Sequence, residues 1–192
     1  LVSALGRVPR YCRVTRVIRD ISSDDIVTGN KLTNFRQIAE NELLERGGRC
    51  EDIRSREVRR DSVSSAELTL RQTEYDTTLG RECFLEFVSP DDRIAGFARL
   101  CLAERQADLD ELKDSALLRE VHVYGAATEI GMRPDQRAQH RGLGSRLVEA
   151  AADRALEAGF ERLSVISAIG TRGWYRRLDF EDGPLYQHRK LR

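Results

Sequence analysis

Residues 139–147 have the residue types and spacing of a phosphate-binding turn. They read Gln-x-x-Gly-x-Gly and continue directly into an amphipathic helix. Gly142 and Gly144 lack a Cβ, so the backbone can turn tightly and come close to a ligand. The amides that follow open a helix, where N–H groups have no partner within the helix and the macrodipole favours negative charge. This stretch therefore predicts a pyrophosphate site built from backbone.

A tyrosine on a later short helix narrows the choice of ligand. Tyr175 lies within residues 171–178, which we expect to be helical. A glycine turn followed by a tyrosine in such a position favours acetyl-CoA over a nucleotide. The alternative for Tyr175 is packing alone, since an aromatic side chain that faces a sheet is often part of the core.

Composition limits the class of protein. The chain of 192 residues is 40% hydrophobic and 33% charged, with a formal net charge of zero. This is typical of a globular protein and does not indicate a globally basic nucleic-acid binder. The four cysteines show no C-x-x-C pair or other metal spacing, so we predict no metal site and reduced thiols in a reducing, cytoplasmic compartment. No apolar run is long enough to span a bilayer, and no membrane partner is expected.

The order of predicted elements defines the fold class as α+β. Residues 11–18 are β-branched enough to form a strand, and an apolar stripe predicts a helix over about 33–46. We place a domain boundary in the charged stretch near residue 60, which separates a basic region (1–60) from a second domain (61–192). The second domain has three strand candidates joined by short turns, typical of an antiparallel meander. A strand, the glycine turn with its helix, a strand, a short helix and a final strand follow, which together predict a mixed sheet.

Several motifs give this chain a specific resemblance to a known family. The element order resembles the GNAT acyltransferase fold. Arg-Glu-Val-His-Val-Tyr-Gly at 119–125 and Gly-Thr-Arg-Gly-Trp-Tyr-Arg-Arg at 170–177 are similar to signatures of the Elongator catalytic subunit family, as is the glycine turn. Residues 50–58 resemble the linker that precedes the acetyltransferase domain of that family. The resemblance covers the chain from about residue 8 to its end and marks 1–60 as a small linker subdomain.

The resemblance implies a set of acetyl-CoA contacts and catalytic candidates. Tyr175 would protonate the departing thiolate, which needs only modest acid help because a thiol has a pKa of about 8.5. Either Glu120 or His122 could act as a general base, although main-chain contact needs neither side chain. Trp174 replaces the first tyrosine of the family's pair, and Asp179 stands where a glycine is usual. The implied contacts with the cofactor are Glu120, Val121, His122, Val123, Gln139, Gly142, Leu143, Gly144, Ser145 and Tyr175.

The resemblance also implies a larger reaction than these residues can perform. The family's enzymes carry a radical S-adenosylmethionine domain, and this chain contains no cysteine trio that would hold its iron–sulfur cluster. We expect the chain to be the acetyl-CoA half of a longer enzyme that carboxymethylates the wobble uridine of tRNA. The cluster and S-adenosylmethionine would belong to a radical domain in the same polypeptide. Arg54, Arg56, Arg59 and Arg60 would contact tRNA phosphates.

Two other functions remain open from the sequence. The GNAT fold equally supports a protein lysine N-acetyltransferase, which would need a base to deprotonate the amine. A non-catalytic scaffold that binds CoA to hold an assembly together is the second. The linker motif favours the tRNA-modifying enzyme, because a generic acetyltransferase has no need of it.

Overall fold

Two compact units make up the protein. The computed structural model describes residues 1–15, 17, 25, 27–29, 32, 34–58, 67–103, 109–124 and 142–192. The first unit is Leu1–Glu57 and the second is Val58–Arg192, while the charge pattern had placed the boundary near residue 60. Within these described residues no helix is long and apolar enough to cross a membrane.

The described residues of the first unit form three α-helices. Helix α1 spans Val2–Leu5, α2 spans Phe35–Glu45 and α3 spans Ile53–Arg56. The predicted helix over 33–46 is therefore present, shorter by about one turn in total. Gly48 follows α2 and lies against Leu43, where a Cβ would come within 2.6 Å of Leu43 Cδ1. The apolar core of this unit comprises Leu5, Ala39, Leu43 and Cys50.

Arg36 on α2 holds the polar interior of this unit together. Its Nη2 donates to Asp52 Oδ1 at 2.6 Å and its Nε donates to Glu40 Oε1 at 2.7 Å. Its Nη1 donates to the carbonyl of Val14 at 2.8 Å. Asp52 is fully buried and also caps α3, where it accepts from the amide of Ser55 at 3.1 Å. Arg36 thus links the backbone at Val14, helix α2 and the start of α3.

The side chains around Arg36 include residue types that can bind a metal ion, but the guanidinium of Arg36 already forms ion pairs with the two carboxylates. Ligand atoms of Glu40, Cys50 and Asp52 lie within 4.8 Å of one another. Both carboxylates accept hydrogen bonds from Arg36, so its guanidinium balances their charge.

The sequence predicts a strand over residues 11–18, but residues 11–15 do not form one. The prediction is wrong over these residues. The amide of Val14 donates to Asp52 Oδ2 at 3.0 Å and the carbonyl of Cys12 accepts from the amide of Ile53 at 2.9 Å. The β-branched side chains favour an extended backbone. The buried carboxylate of Asp52, however, accepts the hydrogen bond from the Val14 amide that a neighbouring strand would otherwise accept.

The second unit is an α+β fold with one mixed sheet, as the sequence predicts. In the described residues the strands follow the order β1-β2-β3-β4-β5-β7-β6. All neighbours are antiparallel except β4 and β5, which are parallel. The strands are β1 Thr69–Thr77, β2 Gly80–Val88, β3 Ile94–Ala103, β4 Ser115–Val123, β5 Arg162–Val165, β6 Glu181–Asp182 and β7 Gln187–Lys190. The helices are α4 Leu143–Glu157 and α5 Arg172–Arg176.

Helix α4 covers one face of the sheet and forms the core with it. Leu147 and Ala151 of α4 are fully buried, as are Ala98 and Leu100 of β3. Cys83 on β2 belongs to the same cluster, and burial raises the pKa of its thiol to about 12. This cysteine is therefore an inert core thiol at neutral pH.

A β-bulge in β4 separates the end of that strand from β5. On the β3 side Leu100 lies opposite Leu118 and Arg99 lies opposite Glu120, so Arg119 is the extra residue. Pairing with β5 ends at Leu118, opposite Val165. Among the described residues, β4 beyond the bulge pairs with β3 alone, and its other side faces a gap.

We expect Asp52→Asn to destabilise the first unit by about 3 kcal/mol, because Arg36 then loses the charge of its buried partner. Hydrogen exchange of the α2 amides measures this loss. Glu45→Gln on the exposed part of α2 is the matched control and should leave exchange unchanged. Equal protection in both variants would show that the pair does not stabilise the unit.

Acidification should have the same effect in the unmodified chain. Burial alone raises the pKa of Asp52, but the hydrogen bonds from Ser55 and Val14 and the charge of Arg36 together lower it below its ordinary value of 3.8. Its contribution to stability is therefore complete above that ordinary value and is lost as pH falls through the lower folded-state pKa. Asp52→Asn should remove this part of the acid sensitivity.

Candidate acyl-CoA site

The glycine turn forms the start of α4 through a left-handed residue. Gly142 has φ +91° and ψ −8°, a conformation that residues with a Cβ rarely adopt. Its carbonyl accepts from the amide of Arg146 at 2.8 Å, which begins the helix ladder. The amides of Leu143, Gly144 and Ser145 precede that first bond and have no partner within the helix. A helix start of this kind is suited to binding an anion, and the phosphate site predicted from the sequence would lie here.

Side chains around this turn contribute less than its backbone. Leu143 is 2% exposed and packs in the core, so only its main chain can meet a ligand. The guanidinium of Arg146 lies over the ring of Phe87, 4.3 Å from its centroid, and stacks there. Arg137, Gln139 and Arg141 lie outside the described residues.

The gap between β4 and β5 is a cleft of about 370 Å³. Its walls come from β4 beyond the bulge, the residues after β5, the first turn of α4, and α5. We call it the β4–β5 cleft. The residues that matter below are Arg119, Glu120, Val121, Val123, Gly144, Trp174 and Tyr175.

Tyr175 lies at the α5 wall of this cleft. It is 7% exposed, and its ring packs edge-to-face with Trp174 at 4.7 Å and with Phe180 at 5.3 Å. Burial raises the pKa of the Tyr175 phenol above its ordinary value of 10. The phenol therefore remains protonated through the neutral range.

Glu120 and His122 lie on the same face of β4, but their side chains have different environments. They stand opposite Arg99 and Phe97 of β3. Glu120 lines the cleft, and its Oε2 accepts from Arg99 Nε at 3.0 Å. The half-exposed imidazole of His122 stacks on Phe97, with centroids 5.6 Å apart, and is not among the cleft walls. The candidate bases are thus an ion-paired carboxylate and an imidazole outside the cleft.

A ring of hydrogen bonds across four strands holds the bulge. Arg119 donates to Glu82 Oε1, and the hydroxyl of Tyr75 donates to Glu82 Oε2 at 2.7 Å. Arg99 Nη1 donates to the Tyr75 hydroxyl at 3.1 Å, and its Nε reaches Glu120. Arg119 and Glu120 are consecutive, so the peptide between them closes the circuit. We call these five residues the bulge ring.

The sequence does not predict the bulge ring. Tyr75, Glu82 and Arg99 come from three different strands, and only the strand register brings them together. The sequence shows Trp174 as a departure from the family pattern, but it does not predict that Trp174 lines the cleft. Strand register and side-chain packing determine these contacts, and no local sequence motif indicates them.

The four arginines predicted to contact nucleic acid have different environments. Arg54 is exposed, and its Nη1 donates to the carbonyl of Thr15 at 2.7 Å. Arg56 is 1% exposed, and its guanidinium donates to the carbonyls of Glu51 and Arg10. A buried guanidinium bound to backbone cannot reach a phosphate, so Arg56 has a structural role. Arg59 and Arg60 lie outside the described residues.

A larger hollow of about 950 Å³ lies at the other end of α4, next to β6 and β7. Its lining carries both signs of charge, and Arg176 and Asp182 within it form an ion pair with each other. The predicted site residues lie elsewhere. Gly144 of the helix start and Tyr175 both line the smaller cleft, which is therefore the candidate site.

Comparison with known proteins identifies the class. The model of the acetyltransferase (GNAT) family matches residues 50–180. The chain belongs to this family, whose members are acyltransferases, and membership implies acetyl-CoA as the cofactor. The mixed sheet, the bulge in β4 and the helix start described above fit that assignment, which the resemblance had predicted.

Individual relatives agree on one branch of the family. The tRNA uridine(34) acetyltransferase of Dehalococcoides mccartyi is 38% identical over 181 residues, which are 91% of this chain and 39% of that protein. Human Elongator complex protein 3 is 34% identical over 188 residues, 94% of this chain and 34% of the relative. The chain thus spans little more than a third of these curated relatives. The predicted similarity to the Elongator catalytic subunit is confirmed.

A solved structure supports the same relationship. Archaeal Elp3 from Methanocaldococcus infernus, with an N-terminal deletion, superimposes with a TM-score of 0.79. The match is 27% identical and covers 99% of this chain and 47% of that one. Both units of the present chain thus have counterparts in that protein.

We expect Tyr75→Phe to open the bulge ring and lower the free energy of unfolding by about 1–3 kcal/mol, since the hydroxyl bonds two charged partners. Burial, together with the hydrogen bond to Glu82, raises the pKa of Tyr75 to about 12. A spectroscopic pH titration of the phenols should therefore lose a step near pH 12 in this variant. Tyr186→Phe, at the opposite end of the sheet, is the control. A late step that survives in Tyr75→Phe would contradict the assignment.

Proposed function

We propose that this chain is the acetyl-CoA-binding domain of an enzyme that modifies the wobble uridine of tRNA, and that it cleaves the acetyl-CoA thioester in response to tRNA. One observation carries the first half of the proposal. The β4–β5 cleft joins an anion-binding helix start to a buried, protonated tyrosine.

The parts of the cleft match the parts of the cofactor. The amides of Leu143, Gly144 and Ser145 would hold the pyrophosphate at the helix start. The free side of β4 past the bulge offers the backbone of Val121 and Val123 to the amides of the pantetheine arm, as a neighbouring strand would. Contacts with Glu120, His122 and Gln139 complete the proposed set.

The chemistry proposed for Tyr175 is general-acid catalysis. Water attacks the acetyl carbonyl carbon and loses a proton to solvent, the carbon–sulfur bond breaks to give acetate, and the phenol of Tyr175 gives its proton to the departing sulfur. Acetyl-CoA supplies the two-carbon unit, and solvent restores the phenol proton. The carboxylate of Glu120 is bound by Arg99, and His122 lies outside the cleft wall. We therefore propose neither residue as the general base.

The names of the relatives support the tRNA half of the proposal. The relative from Dehalococcoides mccartyi is named for tRNA uridine 34, and the chain aligns with it over most of its own length. Within the described residues Arg54 is an exposed cation of the predicted phosphate-contacting set, and Arg59 and Arg60 belong to the same proposed surface. The iron–sulfur cluster and S-adenosylmethionine would be bound by a radical domain outside these residues.

The rival function is acetyl transfer to a protein lysine. That reaction needs a base that can take a proton from an ammonium group beside the thioester. The carboxylate of Glu120 is engaged by Arg99 at 3.0 Å, and His122 does not line the cleft. The site thus fits thioester cleavage better than amine acetylation.

Release of CoA from acetyl-CoA by the complete chain tests the proposal. The reaction is followed alone, with a tRNA that has uridine at position 34, with the matched tRNA that has cytidine there, and with a lysine-rich peptide. We expect the uridine tRNA to stimulate release, with no acetyl group on the peptide. Acetylation of the peptide regardless of tRNA would identify a lysine acetyltransferase, and binding without any release would identify a scaffold.

Tyr175→Phe should lower kcat for thioester cleavage by about 10²- to 10⁴-fold while CoA affinity stays the same, because only the proton is removed. Since burial raises the pKa of Tyr175, the acid should stay competent until pH rises past the ordinary tyrosine value of 10. Steady-state rates across pH and calorimetric affinities check both statements. A variant with the full rate would remove Tyr175 from the mechanism.

A further inference from the structure

Gly142 and Gly144 in the glycine turn are required for different physical reasons. At Gly142 the backbone is left-handed, with φ +91°, and a Cβ would meet open space. At Gly144 the opposite holds, because the conformation is helical and the space is full. A Cβ there would lie 3.2 Å from Cζ2 and 3.6 Å from Cη2 of Trp174, and 3.7 Å from Cγ2 of Val123.

The indole of Trp174 therefore fills the place that a side chain at 144 would need. The two contacting atoms belong to the six-membered ring of the indole, at its far end from the backbone. The same indole packs edge-to-face with the ring of Tyr175, with ring centroids 4.7 Å apart. Trp174 thus extends from the acid on α5 to the first turn of α4.

This span coincides with the middle of the β4–β5 cleft. Gly144, Val123, Trp174 and Tyr175 all line it. Under the proposed function, the pyrophosphate lies at the α4 end and the thioester lies near Tyr175. The part of acetyl-CoA between them is the pantetheine arm, which has apolar methyl and methylene groups alongside its amides. An indole and a valine are suitable walls for such a chain.

We propose that Trp174 is a cofactor-binding residue which forms a wall of the pantetheine passage, and that Gly144 is glycine in order to seat its indole. The inference rests on the proposed acetyl-CoA site and adds a contact and a positioning role to it. Gly144 acts through Trp174, and Trp174 in turn orients Tyr175. The glycine turn is thereby coupled to the catalytic acid by packing alone.

The chain itself provides the probe, because Trp174 is its one tryptophan. Titration of the complete chain with acetyl-CoA should change the tryptophan emission saturably, with the same Kd that calorimetry gives. Binding by calorimetry without any change in emission would overturn the wall assignment. No binding by either method would reject the proposed function as well, which is a distinct result.

Gly144→Ala tests the steric pairing. The added methyl must displace the indole by a few tenths of an ångström, and we expect acetyl-CoA affinity to fall about tenfold. Gly173→Ala is the matched control, since it makes the same change beside Trp174 in α5 where a Cβ meets no atom within 4 Å. Equal affinity in the two variants would refute the pairing.

The double variant Gly144→Ala/Trp174→Phe separates pairing from general damage to α4. The smaller ring makes room for the methyl, so the double variant should bind acetyl-CoA in calorimetry as tightly as Trp174→Phe alone, and its CoA-release rate should match that single variant. A double variant that binds more weakly than Trp174→Phe would mean that Gly144 contributes through the helix start itself and not through Trp174. This comparison also holds if Gly144→Ala alone folds poorly.

Discussion

The bulge at Arg119 is the constraint on which the site depends. One extra residue in β4 turns the strand away from β5 after Leu118, and this leaves backbone without a partner strand in the middle of a sheet. Unpaired backbone is costly unless a ligand or water satisfies it. The fold tolerates this defect because the bulge ring ties Arg119 and Glu120 to β1, β2 and β3 through charged hydrogen bonds.

The same ring shapes the chemistry of the cleft. It commits Glu120 to Arg99, and it places the guanidinium of Arg119 against the almost fully buried Glu82. The titratable groups of β4 are thereby balanced by partners within the sheet. On the opposite wall the ring of Tyr175 packs against Trp174 and Phe180, and burial raises the pKa of its phenol. This distribution of charge is the basis on which we propose acid catalysis by a neutral phenol.

The two units use arginine in different ways. In the first unit, buried or half-buried guanidinium groups replace a larger apolar core, with Arg36 on two carboxylates and Arg56 on backbone carbonyls. In the second unit, Arg99 and Arg119 organise a strand edge. A run of arginines in the sequence is therefore not one surface, and only Arg54 among the described members of the predicted set remains exposed.

The sequence by itself determined the features that depend on local pattern. The α+β fold, the order of strands and helices in the second unit up to α5, the helix start at Gly142 and the tyrosine of α5 follow from periodicity, turn residues and motif spacing over short stretches. The strand expected at 11–18 failed because a distant carboxylate, Asp52, competes for its amide. Only the tertiary structure decided the bulge ring, the burial of Arg56 and the contact between Gly144 and Trp174. Each of these joins residues far apart in the chain, and their contact is set by strand register and packing, which no local pattern encodes.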